Sequence, residues 1–68
     1  MAKIDVRGMS CPQPILMTKN AIKSSPKNIE VLVDDNTARN NVSRFLQNQG
    51  YKLTVKNMDE ESLIYGEK

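Results

Sequence analysis

The chain has 68 residues, of which 38% are apolar and 26% charged, a composition typical of one small folded domain rather than of a disordered segment. Ten basic and eight acidic side chains give a net charge of +2, which is too weak to indicate a nucleic-acid-binding protein by itself. One cysteine and no histidine exclude an internal disulfide, a Cys/His zinc site and a Cys–His catalytic pair.

The sequence also carries no sign of export or membrane insertion. No segment approaches the ~18 consecutive apolar residues of a membrane span. The first residues, Met1-Ala2-Lys3-Ile4-Asp5, lack the apolar core of a secretory signal. Because a free thiol without an export signal is typical of the cytosol, we expect a cytoplasmic protein with no membrane association. We expect residues 1–68 to form a single domain, either alone or as the N-terminal domain of a longer protein.

The first half of the chain predicts a strand followed by a helix. Residues 3–6 alternate polar and apolar side chains, as in a half-buried strand. Proline is tolerated in the first turn of a helix and excluded from its interior, so the two prolines after Cys11 indicate a helix start. Pro12 is expected at the first helical position, Pro14 at the third and Cys11 at the N-cap. The helix is predicted to run over residues 12–24.

The second half predicts a strand, a helix and two further strands. Residues 29–33 are rich in β-branched side chains and favour a central strand. Apolar residues then recur at helical spacing from Ala38 until Gly50, which is typical of a helix C-terminus. Residues 51–56 alternate, and 62–65 predict a short antiparallel partner across a polar turn. The predicted order is β-α-β-α-β-β.

The alternation in the third strand decides how the layers are arranged. Tyr51, Leu53 and Val55 are expected to face the helices, whereas Lys52 and Lys56 face water. One face of the sheet should therefore be solvated, and both helices should share the other face. The expected fold class is α+β, a two-layer sandwich.

The predicted helix start gives the only thiol of the chain a specific chemistry. The N-terminus of a helix carries about half a positive elementary charge, and the N–H groups of Gln13 and Ile15 are expected to point out of it unpaired. A thiolate is favoured over a thiol in such a position. Cys11 is therefore expected to be reactive, although a buried and inert cysteine is the alternative.

The residues around Cys11 resemble the signature of a known family. Asp5-Val6-Arg7-Gly8-Met9-Ser10-Cys11-Pro12-Gln13-Pro14 matches D-x-R-G-x-x-C-P-x-P of the TusA/SirA/YedF sulfur-carrier family at every fixed position. The resemblance continues through the segment 33–38 and the second helix. The sequence of residues 41–45 is most similar to that of the YedF-like branch.

This resemblance implies a fold and a function. The implied fold has a mixed four-stranded sheet of order 1-2-4-3. The implied function is that of a sulfur carrier, which holds sulfane sulfur as a persulfide on Cys11 and uses no other cofactor. The implied partners are a cysteine desulfurase or another persulfide donor, and a downstream sulfur-acceptor protein, towards tRNA thiolation or cofactor synthesis. Because some YedF-like proteins are associated with selenium metabolism, a selenium-carrying relative is a close alternative.

Six residues near Cys11 are candidates for positioning its thiolate. Arg7 and Asp5 lie two residues apart. They form either an exposed ion pair that contributes little to stability or a pair in which Asp5 holds Arg7 near the cysteine. Gly8 lies in the turn after the first strand. Pro12, Gln13 and Pro14 are expected to form the first helical turn that presents the sulfur.

Two further pairs of charged residues are each open to two interpretations. Lys19 and Lys23 lie four residues apart on the first helix, and they are either a solvated flank or a partner-docking surface. Asp34 and Asp35 precede the second helix, where capping explains them better than a metal site does. No metal site is expected.

Other functional classes remain for comparison. The two-layer topology resembles the C-terminal domain of translation initiation factor three, so a non-covalent RNA- or protein-binding module is the second hypothesis, although nucleic-acid binding is disfavoured. A thiol oxidoreductase is disfavoured because there is no second cysteine to resolve an oxidised Cys11. We expect a carrier that resembles a sulfurtransferase rather than a free-standing enzyme with its own substrate pocket.

Overall fold

The computed structural model describes residues 2–10 and 12–68. The predicted order of elements is confirmed. The elements are β1 (Ala2–Asp5), α1 (Gln13–Ala21), β2 (Asn28–Val33), α2 (Asn36–Asn48), β3 (Lys52–Met58) and β4 (Glu61–Glu67).

The four strands form one mixed sheet of order β1-β2-β4-β3, as expected. β1 pairs parallel with β2, and β4 pairs antiparallel with both β2 and β3. The register aligns Ile4 with Val31 and Val31 with Ile64, so apolar side chains lie in a row across three strands. β4, although last in sequence, is therefore an inner strand.

The core lies between this sheet and two helices that cover the same face. Ile29, Val31 and Val33 alternate along β2 and are fully buried, and Val42 and Leu46 of α2 are buried against them. Since both helices contribute to one core, the predicted two-layer α+β sandwich is confirmed. The other buried apolar residues of this core are Val6, Ala38, Tyr51 and Ile64, and Met17, Ala21 and Ile22 of the α1 region pack at its margin.

Helix α1 is shorter than predicted at both ends. It begins at Gln13, so that Pro12 takes the cap position that the sequence interpretation gave to Cys11, and Pro14 takes the second helical position. The helix ends at Ala21 rather than near Ser24. Pro14 and Thr18 are its buried residues, and Ile15 is half-buried.

Helix α2 has the capped ends that its sequence predicts. The side chain of Asp35 accepts a hydrogen bond of 2.7 Å from the backbone N–H of Ala38, in the standard N-cap arrangement. After the C-cap residue Gln49, Gly50 adopts φ +94°, a left-handed conformation that glycine adopts without steric cost.

Strand β3 differs from its prediction. Val55 was expected to face the helices but is 38% exposed, and Leu53 is half-buried. The reason is topological, because β3 is an outer strand that pairs only with β4. Alternation in the sequence identifies the two faces of a strand, but it does not reveal whether a helix covers its whole length.

Candidate functional site

Cys11 lies outside the described residues, whereas the residues on both sides of it are described. The carbonyl of Ser10 accepts a hydrogen bond of 2.9 Å from the backbone N–H of Gln13, and the carbonyl of Pro12 accepts one of 3.1 Å from the N–H of Leu16. The N–H of Gln13 is therefore occupied by Ser10, and the expectation that it would be unpaired at the helix terminus was wrong. The flanks of position 11 are joined to each other through this bond.

The segment before position 11 depends on a glycine conformation. Gly8 has φ +74°, a value that side chains with a Cβ disfavour. A Cβ added at this position would meet no heavy atom within 4 Å, so the reason for glycine here is the backbone conformation and not a lack of space. The N–H of Met9 donates to the carbonyl of Val6 at 3.3 Å, which closes the turn that starts this segment.

Arg7 is held by Asp5 through several hydrogen bonds. Its Nη2 donates to Oδ2 of Asp5 at 2.8 Å, and its Nε donates to Oδ1 at 3.0 Å and to Oδ2 at 3.2 Å. The backbone N–H of Arg7 also donates to Oδ1 of Asp5 at 3.0 Å. The pair is exposed, and its hydrogen bonds fix the direction of the Arg7 guanidinium; whether this serves Cys11 stays a prediction.

Sequence reasoning missed Glu61, the second partner of Arg7. Nη1 of Arg7 donates to Oε2 of Glu61 at 2.8 Å, although the two residues lie 54 positions apart. Glu61 is the first residue of β4 and follows a polar turn, in which nothing distinguishes it from the neighbouring acids. Only the sheet order reveals this contact, because it places the start of β4 beside the end of β2, which in turn pairs with the end of β1.

The charges of this cluster compensate one another. The side-chain hydrogen bond from Arg7 lowers the pKa of Asp5 below its ordinary value of 3.8, and the hydrogen bonds to Asp5 and then to Glu61 raise the pKa of Arg7. Since the folded-state pKa of Asp5 is lowered, the stability contributed by the pair is present above about pH 3.8 and is lost as the pH falls through the lowered pKa. One guanidinium faces two carboxylates, so the charge of Arg7 is compensated within the described residues.

Asp34 has a different role from the capping role that was predicted for it. Asp35 is the N-cap of α2, as expected, but Oδ2 of Asp34 accepts a hydrogen bond of 2.9 Å from the backbone N–H of Gly8. Asp34 follows directly after β2, so it ties the segment before Cys11 to the end of an inner strand. In the sequence, Asp34 is distinguished only by its position next to the N-cap residue Asp35, which does not indicate a contact with Gly8.

A cleft of about 320 Å³ opens between the beginnings of the two helices. Pro12 and Pro14 line the side formed by α1, and Ala38 and Asn41 line the side formed by α2. Pro12 is the residue directly after Cys11 in sequence. The cleft therefore offers space for a partner segment beside the candidate site. The remaining lining residues are Met9, Ile15, Asp35, Asn36 and Thr37.

The predicted docking residues lie on the outside of the α1 region. Lys19 is exposed in the last turn of α1, and Lys23 is exposed in the turn that follows the helix. The three ion pairs found among residues 2–10 and 12–68 include neither of them. Both ammonium groups are therefore accessible to a partner with acidic side chains.

Among residues 2–10 and 12–68, the Asp and Glu side chains form no group of three or more that could hold a metal ion. None of the helices in the described part of the chain is long and apolar enough to cross a membrane.

Comparison with known proteins identifies the family. The family model described as Sulfurtransferase TusA matches residues 2–68. A proposed sulfur carrier protein of Methanocaldococcus jannaschii is 39% identical over 57 residues, which cover 81% of this chain and 76% of the relative. The sulfur carrier protein TusA of Pseudomonas syringae is 24% identical over 66 residues, covering 94% of this chain and 79% of the relative.

A solved structure supports the same assignment. The crystal structure of a SirA-like protein from Desulfitobacterium hafniense superimposes with a TM-score of 0.86 at 25% sequence identity, covering 98% of this chain and 96% of that one. The assignment to the YedF-like branch stays a prediction. The chain belongs to the TusA family.

Proposed function

We propose that this protein is a cytoplasmic sulfur carrier that holds sulfane sulfur as a persulfide on Cys11 and relays it between partner proteins. The observation that carries the proposal is the family match over residues 2–68, within which the only thiol of the chain occupies the cysteine of D-x-R-G-x-x-C-P-x-P. Two relatives that match most of the chain are described as sulfur carriers. A cysteine desulfurase is the proposed type of donor.

The proposed chemistry consists of two exchange steps. In the first, the Cys11 thiolate attacks the outer sulfur of a donor persulfide, the S–S bond of the donor breaks, and the donor leaves as a thiolate. In the second, an acceptor thiolate attacks the outer sulfur on Cys11, and Cys11 leaves as a thiolate. Neither step needs an external oxidant or reductant, because the same sulfur atom is passed from one thiolate to the next.

The surroundings of position 11 support this use of a single thiol. The helix start after Cys11 favours an anion through its dipole, and a moderate lowering of a thiol pKa suits a carrier, since the same group must attack and later leave. The cleft beside Pro12 gives a partner segment room to approach. The exposed Lys19 and Lys23 are the proposed docking residues for an acidic patch on a partner.

Intact-mass measurement tests the proposal. The protein is incubated with a cysteine desulfurase and free cysteine and then weighed. We expect the added mass of one sulfur atom, which is lost on reduction and absent in Cys11→Ser. Ser10→Ala is the matched control, since it changes the neighbouring residue and leaves the thiol in place.

The opposite result has a defined meaning. If the wild-type protein stays unmodified by every persulfide donor offered, the carrier proposal is wrong. If the unmodified protein also binds RNA with an affinity that falls steeply with salt, the RNA-binding module replaces it.

A further inference from the structure

We propose that Glu61 and Asp34 are positioning residues for sulfur transfer, because they fasten Arg7 and Gly8, in the segment directly before Cys11, to the inner strands of the sheet. This inference rests on the proposed function. It assigns a role in the reaction to two residues that lie 50 and 23 positions beyond Cys11 in the sequence.

Two independent contacts connect Arg7 and Gly8 to residues of the sheet or directly after it. Glu61 accepts from Nη1 of Arg7 at 2.8 Å, and Asp34 accepts from the backbone N–H of Gly8 at 2.9 Å. Glu61 begins β4, and Asp34 directly follows β2, the two inner strands of the sheet. Consecutive residues of the segment are thus tied to the two elements of the fold that are paired on both sides.

The exposure of these groups argues against a mainly stabilising role. The side chains of Arg7 and Glu61 are 43% and 37% exposed, and ion pairs with this degree of exposure contribute little to folding stability. The compensated charge of Arg7 also argues against direct attraction of a thiolate. What the contacts do supply is a fixed path for the chain at Gly8 and Arg7, three and four residues before Cys11.

Fixed direction matters because exchange at sulfur requires alignment. The attacking sulfur, the transferred sulfur and the leaving sulfur must lie nearly in line, and a displacement of about 1 Å at a reacting group can cost roughly a hundredfold in rate. A segment that is held at two consecutive residues restricts such displacements. A loosened segment should leave the thiol chemically competent but poorly aligned with a docked donor.

The test uses variants that remove each contact singly and together. Glu61→Ala and Asp34→Ala remove the acceptors, and Glu61→Gln and Asp34→Asn keep an uncharged acceptor in the same place. Glu60→Ala is the matched control, because it removes an exposed acid from the turn immediately before Glu61. The double variant Arg7→Ala/Glu61→Ala shows whether Glu61 acts through Arg7.

Three measurements are made on every variant well below its melting temperature. Amide hydrogen exchange at Gly8 and Met9 reports the order of the segment, the pH midpoint of Cys11 alkylation reports ionisation of the thiol, and the rate of sulfur loading against donor concentration separates kcat from KM. For each alanine variant we expect faster amide exchange, an unchanged alkylation midpoint, and a roughly tenfold lower kcat at unchanged KM. Glutamine and asparagine should restore part of the rate, and Glu61→Ala should add nothing in the Arg7→Ala background.

Each other outcome overturns the inference or the function separately. Variants that load sulfur as fast as Glu60→Ala overturn the inference and leave the carrier function intact. An alkylation midpoint that shifts in proportion to the lost rate also overturns it, because the effect would then be one of charge. If the wild-type protein accepts no sulfur, the proposed carrier function is wrong. If amide exchange is unchanged in the alanine variants, the positioning role of Glu61 and Asp34 is wrong, and this result needs no sulfur donor.

Discussion

The hydroxyl of Thr18 donates a hydrogen bond of 2.8 Å to the carbonyl of Pro14, one turn earlier on the buried side of α1. Thr18 is fully buried, so its hydroxyl has no access to water in the folded state. Thr18→Val keeps the shape of the side chain and removes the hydroxyl, and we expect it to lower the free energy of unfolding by about 1 kcal/mol. Urea denaturation measures this, with Thr54→Val on the exposed side of β3 as control. Equal losses in both variants would contradict the role of this bond.

Removal of the cap of α2 should destabilise the fold. Asp35 accepts the N–H of Ala38 at 2.7 Å, and replacement of such a cap by alanine costs about 1 kcal/mol. We expect Asp35→Ala to show this loss in thermal or urea unfolding and Asp35→Asn to stay near the wild type, because asparagine also caps well. If asparagine is as damaging as alanine, the negative charge of Asp35 matters more than its hydrogen bond.

A methyl group at Gly66 should be crowded by its neighbours. A Cβ at this position of β4 would lie 3.1 Å from Cγ2 of Ile29 and 3.1 Å from Cδ2 of Leu53. We expect Gly66→Ala to cost about 1–3 kcal/mol by overpacking, measured as the free energy of unfolding. In the background of Leu53→Ala, which removes one of the two contacts, the same substitution should cost less. An identical cost in both backgrounds would exclude overpacking against Leu53 as the cause.

Reversal of the charges at Lys19 and Lys23 tests the docking surface. If an acidic patch of the donor contacts them, the double variant Lys19→Glu/Lys23→Glu should raise the KM for sulfur loading roughly tenfold at low salt, and the difference should shrink as salt is added. Alkylation of Cys11 should not change. Lys52→Glu/Lys56→Glu on β3 is the control, because it makes the same change in net charge at exposed positions. Equal effects of the two pairs would show that only net charge matters.

Tyr51 should make stability depend on pH in the alkaline range. Its hydroxyl donates to the carbonyl of Pro26 at 2.6 Å, and burial raises the pKa of Tyr51 above its ordinary value of 10.0. Because the folded-state pKa is raised, the contribution of the neutral phenol is fully present below about pH 10 and is lost as the pH rises through the folded-state value. We expect the free energy of unfolding of the wild type to exceed that of Tyr51→Phe by about 1 kcal/mol at neutral pH. This difference should shrink above pH 10. A difference in unfolding free energy that is constant across this range would contradict the assignment.

The order and type of the elements could be predicted because their signals are local. The β-branched run at 29–33 and the helical spacing that leads to Gly50 each lie within a few residues of the structure that they determine. The exposure of Val55 could not be predicted in this way. It depends on β3 being an outer strand, and that position is set by pairing between distant segments.

The candidate site shows the same division. Asp5 and Arg7 were recognised together because they are close in sequence. Glu61 and the contact of Asp34 with Gly8 were missed, since each pairs residues from elements that only the sheet topology brings together. The start of α1 was misplaced by one residue because proline is compatible with both the cap and the first helical position.

The position of β3 at the margin of the sheet has a consequence for the behaviour of the protein in concentrated solution. An edge strand has unpaired backbone groups that can pair with a strand of another molecule. Charged side chains on the edge strand, lysine above all, disfavour such pairing. Lys52 and Lys56 project from β3 as exposed side chains, and the opposite outer strand, β1, has only four residues and carries Lys3. From this principle we expect these lysines to disfavour strand addition by another molecule at both edge strands.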